Sequence, residues 1–522
     1  MDKSQRLEGS VTSNVMRRNR PAGAAGRIAK YAAATIFPLN RLKYVARRPI
    51  VYTNRPTTPI QTLSVSPGIT GSQVQKFLFY HVKEHTIKAI ANSTSAARFW
   101  CNYVLPLSHS VDAIKHALMA LGAAHRSFLW RCSPDFGPSD GQSCESFAIQ
   151  EYNRAIKHIG AVMSDPSPIS IRITLVCCLI FICLENMRGQ YGEALRHLQA
   201  GSRLLSSRRP SAMVLCDSAT VGATSFQKLK RDSGDFGQLC DIADMFSRLG
   251  LDAHIFVDDH VISISELSFY TRPTHTSDMS RSFSSIEEAQ EQLNRIDIDF
   301  DSIMDCSDPS LSDECCDSSS AIDCEAWEGM EEYDLAYQIL RDRFDVWTIH
   351  FDLFISDLLK RTPSEEELKE AMVLSLHRKV WSAIMKKGPY FNNDLKRTDS
   401  EEIMVQAELI ALSLPFPAQP RFTFNADLIP PLAFVCAFSE HADLQKRAIC
   451  LLRSLNLREG IWDSGELAKI YEAKFVAKEF IADADKWVEG GVLNLVTMLS
   501  SVGLLESNST GAITLLGKSR GC

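Results

Sequence analysis

The sequence predicts an all-α protein built from many helices. Three observations support this fold class. Apolar residues recur at helical spacing through most of the chain between positions 74 and 497. One segment, 171–184, is apolar on nearly every side, as in a helix enclosed by other helices. No stretch of useful length alternates apolar and polar residues in the way that a half-buried strand does.

The segment 171–184 is the expected centre of the fold. It is shorter than the roughly 20 apolar residues that a membrane span needs, so we expect a buried helix and no membrane partner. Arg188 and Gly189 then predict a turn. After this turn one helical face carries Tyr191, Leu195, Leu198, Ser202 and Leu205. The centre is therefore predicted to be a helical hairpin, with 171–184 as its most buried helix.

Further helices are predicted on both sides of this hairpin. Before it, one apolar face is formed by Val111, Ile114, Leu118, Leu121 and His125. After it, 284–288 has the pattern of a capping box at a helix start. An aromatic stripe with core spacing contains Phe344, Trp347, Phe351 and Phe354. Pro430 and Pro431 predict another helix start, because proline is tolerated in a first turn.

Shifts in composition divide the chain into five predicted parts. We expect a basic, disordered tail and linker at 1–73, and a helical region at 74–296. An acidic linker is expected at 297–334, followed by a second helical region at 335–497. The remaining residues, 498–522, are expected to form a polar C-terminal tail that frays.

The first 60 residues are strongly basic, with twelve Lys and Arg against two acidic residues. The densest clusters contain Arg17, Arg18, Arg20, Arg41, Lys43, Arg47 and Arg48. These residues fit a nuclear-localisation signal or contacts to nucleic-acid phosphates. An Arg- and Ala-rich leader with few acids also fits a mitochondrial transit peptide. The third interpretation is a solvated tail without a binding role.

The acidic segment 297–334 contains no Lys or Arg. It also contains four cysteines, namely Cys306, Cys315, Cys316 and Cys324. Their spacing fits no zinc template, so we predict a disordered linker and no metal ligand. An acidic segment with interspersed apolar residues also fits an activation region that recruits partners.

No motif of an enzyme is present. The sequence lacks a phosphate-binding glycine loop, a GxSxG motif and an HExxH motif. His109, His116 and His125 recur within one region, but the sequence shows no acidic or cysteine partner for them, so structural roles are expected. The fifteen cysteines include no CxxC pair, which fits free thiols in a reducing compartment. We therefore predict no catalytic residue, no cofactor and no enzymatic activity.

Several segments together resemble the regulatory region of fungal zinc-cluster transcription factors. They include the residues Ala97 to Trp100, HALMALGAAH at 116–125, EYNRAI at 151–156 and the whole hairpin at 175–205. SRLGLDAHIF at 247–256 and FSSIEEAQEQLNRI at 283–296 follow, then DLIPPLAFVCAF at 427–438 and a closing segment that ends in REGIWDS at 458–464. The resemblance implies an all-helical regulatory domain and control of transcription in the nucleus, often of metabolic gene clusters.

One departure from this family pattern bears on mechanism. The family's usual N-terminal cluster of six cysteines binds two zinc ions and places a helix in the DNA major groove. The present sequence has no cysteine before Cys101. No zinc ligand can therefore be assigned, and we expect no stoichiometric zinc. DNA binding is expected to be weak or indirect, since phosphate contacts alone do not read sequence.

The leading functional hypothesis is a transcriptional regulator that lacks its own zinc-cluster module. It would act through its helical domain, by forming a homodimer, by binding another transcription factor or by binding a small-molecule effector. The alternative is a helical scaffold or effector-binding protein derived from such a regulator. The expected location is the nucleus, with the cytoplasm or the mitochondrion as alternatives.

Overall fold

A computed structural model of the chain describes residues 70–91, 93–130, 138–164, 167–207, 234–254, 267, 282–306, 322–391, 393–414, 420–480, 505–507 and 513–515. Within these ranges almost all regular structure is helical, which confirms the predicted all-α class. The helices are α1 (Gln73–His81), α2 (Ile87–Ile90), α3 (Thr94–Phe99), α4 (Leu105–Leu107), α5 (Asp112–Trp130), α6 (Pro138–Met163), α7 (Pro168–Arg188), α8 (Tyr191–Ser206), α9 (Gly234–His254), α10 (Ile286–Cys306), α11 (Ile322–Lys360), α12 (Glu365–Lys387), α13 (Arg397–Ser413), α14 (Ile429–Phe438), α15 (Ala442–Leu455) and α16 (Ser464–Phe480). Two π-helical turns, Val82–Thr86 and Trp100–Val104, join α1 to α2 and α3 to α4.

The predicted central hairpin is formed by α7 and α8. All residues of 171–184 except Arg172 and Thr174 are buried, which confirms this segment as the core of the fold. Helix α7 begins after Ser167, whose Oγ accepts a hydrogen bond from the Ser170 N–H at 3.1 Å. It ends at Gly189, which adopts a left-handed φ of 75° and forms the predicted turn. Each large aliphatic side chain buried in this way contributes about 1.5–3 kcal/mol to the stability of the folded state.

Helix α7 is long and apolar enough to cross a membrane by length and composition alone. The whole helix has 21 residues and is longer than the apolar segment 171–184 recognised in the sequence. Its length alone therefore does not exclude a membrane span. However, 78% of the most apolar 18-residue stretch of this helix is buried inside the protein. Packing against α5, α6, α8 and α9 accounts for this apolar character.

Helix α9 packs closely against α8. A Cβ atom added at Gly201 of α8 would lie 2.2 Å from Cε1 of Phe246 of α9, so only glycine allows this approach. Phe246 is fully buried. Helix α5 packs against α6 and α7, and its Ile114, Leu118 and Leu121 are buried as predicted.

A second hydrophobic cluster is formed by α10, α11 and α12. The predicted aromatic stripe is part of it, since Phe344, Trp347, Phe351 and Phe354 are all buried. The Trp347 indole N–H donates to the backbone oxygen of Ala289 in α10 at 2.9 Å. Helix α10 begins within the predicted 284–288 segment, where Ser285 Oγ accepts from the Glu288 N–H at 3.2 Å. The Glu288 carboxylate accepts from the Ser284 N–H at 2.7 Å and not from Ser285, so the reciprocal bond of a capping box is not formed.

The prediction of an acidic linker at 297–334 is wrong at both of its ends. Helix α10 continues to Cys306, and α11 already begins at Ile322. Ile298 of α10 is buried, and Asp297 Oδ1 accepts a hydrogen bond from the Trp381 indole N–H at 2.7 Å. Tertiary burial of these side chains outweighs the local charge density. Residues 307–321, with Cys315 and Cys316, lie outside the described residues.

Two small sheets were not predicted from the sequence. In the first, β1 (Arg421–Thr423) pairs in parallel with β2 (Leu457–Glu459), which pairs antiparallel with β3 (Trp462–Asp463). In the second, β4 (Leu505–Ser507) pairs antiparallel with β5 (Ile513–Leu515), within the segment expected to fray. Strands of two or three residues are too short for their alternation to be recognised. Residues 481–497, where the sequence predicted helix, lie outside the described residues.

Candidate functional site

The REGIWDS segment, 458–464, forms a hairpin that connects distant helices. Arg458 is its most connected side chain. Its guanidinium donates two hydrogen bonds to Asp463 Oδ2, at 2.9 and 2.6 Å. A third donor reaches the backbone oxygen of Asn186 at 2.8 Å, in the last turn of α7. Arg458 also lies over the rings of Phe128 and Tyr191, within 5.4 and 5.6 Å of their centres. This arginine therefore caps the central helix from the C-terminal end of the chain.

Glu459, the next residue, caps the start of α14. Its carboxylate accepts hydrogen bonds from the backbone N–H groups of Leu428, at 3.1 and 3.0 Å, and Ile429, at 2.8 Å. The predicted helix start at Pro430 and Pro431 is confirmed. These two prolines carry no N–H, so the carboxylate satisfies the backbone donors that precede them. Burial raises the pKa of Glu459, and the neighbouring Asp427 adds to the rise.

The last two residues of the hairpin begin α16. Asp463 Oδ1 accepts from the N–H groups of Gly465 and Glu466, at 2.9 and 3.0 Å, which is the geometry of an N-cap. Ser464 Oγ accepts from the Leu457 N–H at 3.1 Å and closes the hairpin. REGIWDS closes the series of segments that carry the family resemblance, but the sequence assigned no role to its residues, because the partners of Arg458 and Glu459 include residues far away in the chain.

Three half-buried aspartates, Asp252, Asp297 and Asp427, interact electrostatically with one another or with this hairpin. Burial raises the pKa of Asp252 to about 8, and the carboxylates of Asp427 and Asp297 add to the rise. Burial also raises the pKa of Asp297 to about 7, although the hydrogen bond from Trp381 opposes this. The Trp462 side chain of the hairpin opposes the rise in the pKa of Asp252.

The predicted histidines have structural partners that the sequence did not show. The prediction that His116 lacks an acidic partner is wrong, since its Nδ1 lies 2.5 Å from Oε2 of the fully buried Glu151. His125 lies 3.2 Å from His81 and 3.0 Å from Thr86 through its Nδ1. Burial lowers the pKa of His125 to about 3 and that of His81 to about 4, so both are neutral at physiological pH. Their partners are more than 30 positions away in the sequence, out of reach of a local pattern.

The remaining predicted sites can be placed only in part. The basic residues Arg17, Arg18, Arg20, Arg41, Lys43, Arg47 and Arg48 lie outside the described residues. Among the residues that the structure describes, no group of three or more His, Cys, Asp or Glu side chains could hold a metal ion. A surface cavity of about 590 Å³ lies between α11 and the end of α12. Its lining includes Tyr337, Arg341 and Tyr390, with no cluster of catalytic type.

The first part of this chain matches the model of a known protein family. Residues 77–312 match the model of the fungal specific transcription factor domain. This matched part of the chain, which contains α7 and α8, is similar to that domain. The REGIWDS hairpin lies outside the matched residues but caps a helix inside them.

Two known transcription regulators are similar to part of this chain. The chain is 28% identical over 166 residues to the aspercryptin biosynthesis cluster-specific transcription regulator atnN of Emericella nidulans, covering 31% of this chain and 25% of that protein. It is 27% identical over 110 residues to the transcription regulator lscL of Purpureocillium lilacinum, covering 20% of this chain and 26% of that protein. The chain thus matches about a quarter of the length of each relative. No solved structure matches the chain significantly.

Proposed function

We propose that this protein regulates transcription, and that its targets are genes of a secondary-metabolite cluster. The match of residues 77–312 to a fungal specific transcription factor domain carries the proposal. Both relatives are named as transcription regulators, and one of them as specific for a biosynthetic gene cluster. The match favours a role in binding rather than in catalysis.

We further propose that the protein acts in the nucleus. The seven basic residues of the tail, from Arg17 to Arg48, would serve in import or contact DNA phosphates. A fluorescent fusion with all seven replaced by Gln tests this. Loss of nuclear signal is expected for that variant, while replacement of the isolated Arg6, Arg27 and Lys30 is the matched control. Signal in mitochondria from the unaltered fusion would contradict the proposal and favour a transit peptide.

Contacts with other proteins are the proposed means of action. A second copy of the chain or another transcription factor is the expected partner, and DNA contacts are expected to be weak. A small-molecule effector stays a prediction, to which we assign no described residue.

Transcript profiling tests the proposed function. Deletion and overexpression of the gene are expected to change the transcripts of one group of adjacent biosynthetic genes in opposite directions. A strain that expresses the chain with Leu179→Asp should behave like the deletion, because a charge in the fully buried position disrupts the domain. Unchanged transcripts in all strains would overturn the proposal and favour a scaffold role without transcriptional output.

A further inference from the structure

Helix α11 has apolar side chains on two nearly opposite faces. Its inner face carries the buried aromatic stripe that packs on α10 and α12. The outer face is exposed to solvent, yet it presents Leu335 at 62%, Ile339 at 46%, Ile349 at 41% and Leu353 at 38% exposure. A surface helix ordinarily turns polar residues outward. An ordered apolar stripe on the solvent side indicates a binding surface.

The spacing of the outer stripe is that of a coiled-coil seam. Positions 335, 339, 342, 346, 349 and 353 follow one another at alternating intervals of four and three residues, which places them on one line along the helix. The half-buried Val346 continues the line, and Asp342 is its one polar member. The seam covers about 27 Å of helix. We name this set the outer seam of α11.

We propose that the outer seam of α11 pairs with the same seam of a second copy of the chain, in antiparallel orientation. A seam of this spacing fits another helix with the same spacing, because each side chain fills a gap between four residues of the partner. When the two helices run antiparallel, every position of one seam meets a position of the other seam. Leu335 faces the partner's Leu353, Ile339 faces the partner's Ile349, and Val346 faces the partner's Asp342. This two-fold self-complementarity is the reason for choosing a second copy as the occupant.

Asp342 determines the orientation. In a parallel pair the two Asp342 carboxylates would share one layer of the seam, where facing like charges are destabilising. In the antiparallel pair each carboxylate faces a valine and lies about 4.5 Å along the axis from the partner's Arg343. The Arg343 side chain is 52% exposed, and its ion pair with Asp299 uses one of its nitrogens. A guanidinium has five donors, so the contact to the partner's Asp342 remains open to it.

The proposed interface is small. Pairing of the two seams would bury on the order of 1,000 Å² in total, which is at the low end for specific complexes. The Asp345 carboxylates of the two copies would also face each other at the edge of the interface. Their repulsion weakens pairing most at low salt, where it is least screened. The dimer is therefore expected to dissociate on dilution. The proposal stands whether or not the chain regulates transcription.

Sedimentation of the full chain over a range of concentrations tests the proposal. The unaltered chain should show a monomer–dimer equilibrium. Ile339→Asn together with Ile349→Asn should weaken it at least about tenfold, since each loses burial in the seam. Leu412→Asn is the matched control, because Leu412 is 57% exposed but lies on α13. Asp342→Leu should strengthen the dimer. Circular dichroism and thermal unfolding verify that each variant is folded.

Cross-linking decides the orientation. In a mixture of Ile339→Cys and Ile349→Cys chains, the mixed disulfide should form faster than either self-disulfide. An unaltered chain that stays monomeric at all concentrations would overturn the proposal, as would a dimer that survives the double isoleucine variant. Faster self-disulfide formation would overturn the antiparallel arrangement.

Discussion

Arg458 donates a hydrogen bond from Nη1 to the backbone oxygen of Asn186 across 2.8 Å, although 272 residues separate them in the chain. Asn186 lies in the last turn of α7, the most buried helix. Arg458 lies in β2, beyond the residues that match the family model. The central helix is therefore completed by a residue from the C-terminal part of the chain, and the folding unit extends past the matched segment.

Replacement of Arg458 by Ala should destabilise the protein by about 3 kcal/mol, because it leaves Asp463 and the carbonyls of α7 without their buried cation. The side chains of Arg458 and Asp463 are only 16% and 19% exposed. Urea unfolding measures the loss. The control is Arg453→Ala, whose ion pair with Glu472 is half-exposed on both sides and is expected to contribute less than about 1 kcal/mol. Equal losses for the two variants would show that the hairpin does not cap α7.

Leu179→Asp should prevent cooperative folding, since the side chain has no exposure and an unpaired carboxylate would be buried. Ile169→Asp lies on the same helix at 59% exposure and should retain the unaltered circular dichroism spectrum. Thermal unfolding followed by circular dichroism compares them. A folded Leu179→Asp protein would contradict the position assigned to α7.

Stability should decrease as pH rises from about 4 to about 8 and should then level off. The folded state holds protons on Asp252 and Asp297 that the unfolded state has already lost, because burial raises the pKa of these groups to about 8 and about 7. Within this range, each carboxyl that is protonated in the folded state and ionised in the unfolded state lowers the free energy of unfolding by at most about 1.4 kcal/mol per pH unit. Asp252→Asn should reduce this slope.

The control for the pH experiment is Asp443→Asn. Asp443 is exposed, and its hydrogen bond with Arg397 lowers its pKa, so it titrates only at acid pH. Denaturant unfolding at each pH gives the slopes. An unaltered slope in Asp252→Asn would show that Asp252 is ionised in the folded protein and that it does not face an enclosed environment.

Binding to DNA, where it occurs, should be salt-sensitive and indifferent to sequence. Contacts from Arg17, Arg18, Arg20, Arg41, Lys43, Arg47 and Arg48 to phosphates release counterions, so affinity should fall steeply as salt is raised. Fluorescence anisotropy with several unrelated duplexes measures the slope. Replacement of these residues by Gln should abolish binding. Tight binding to one short site at physiological salt, retained by that variant, would contradict the prediction.

Local patterns in the sequence were sufficient for many of the helices and for some of their starts. The apolar run around Leu179, the helix start near Ser285 and the helix start at Pro430 were all predicted, because their causes lie within a few residues. The acidic residues around Asp297 predicted a linker where the structure has a helix, because packing against Trp381 overrides the local charge. The partners of His116 and Glu459 were missed because Glu151 and Leu428 are distant in the chain. Such contacts are determined by packing and leave no periodic signal.

The helical domain itself is expected to change transcription. The most direct measurement fuses the chain to an unrelated DNA-binding module with its own nuclear signal and quantifies transcripts of a reporter that carries the module's site. The intact fusion and the Ile169→Asp fusion should change reporter transcripts in the same direction, while the Leu179→Asp fusion should not. Reporter transcripts that do not respond to the intact, folded and nuclear fusion would contradict the claim.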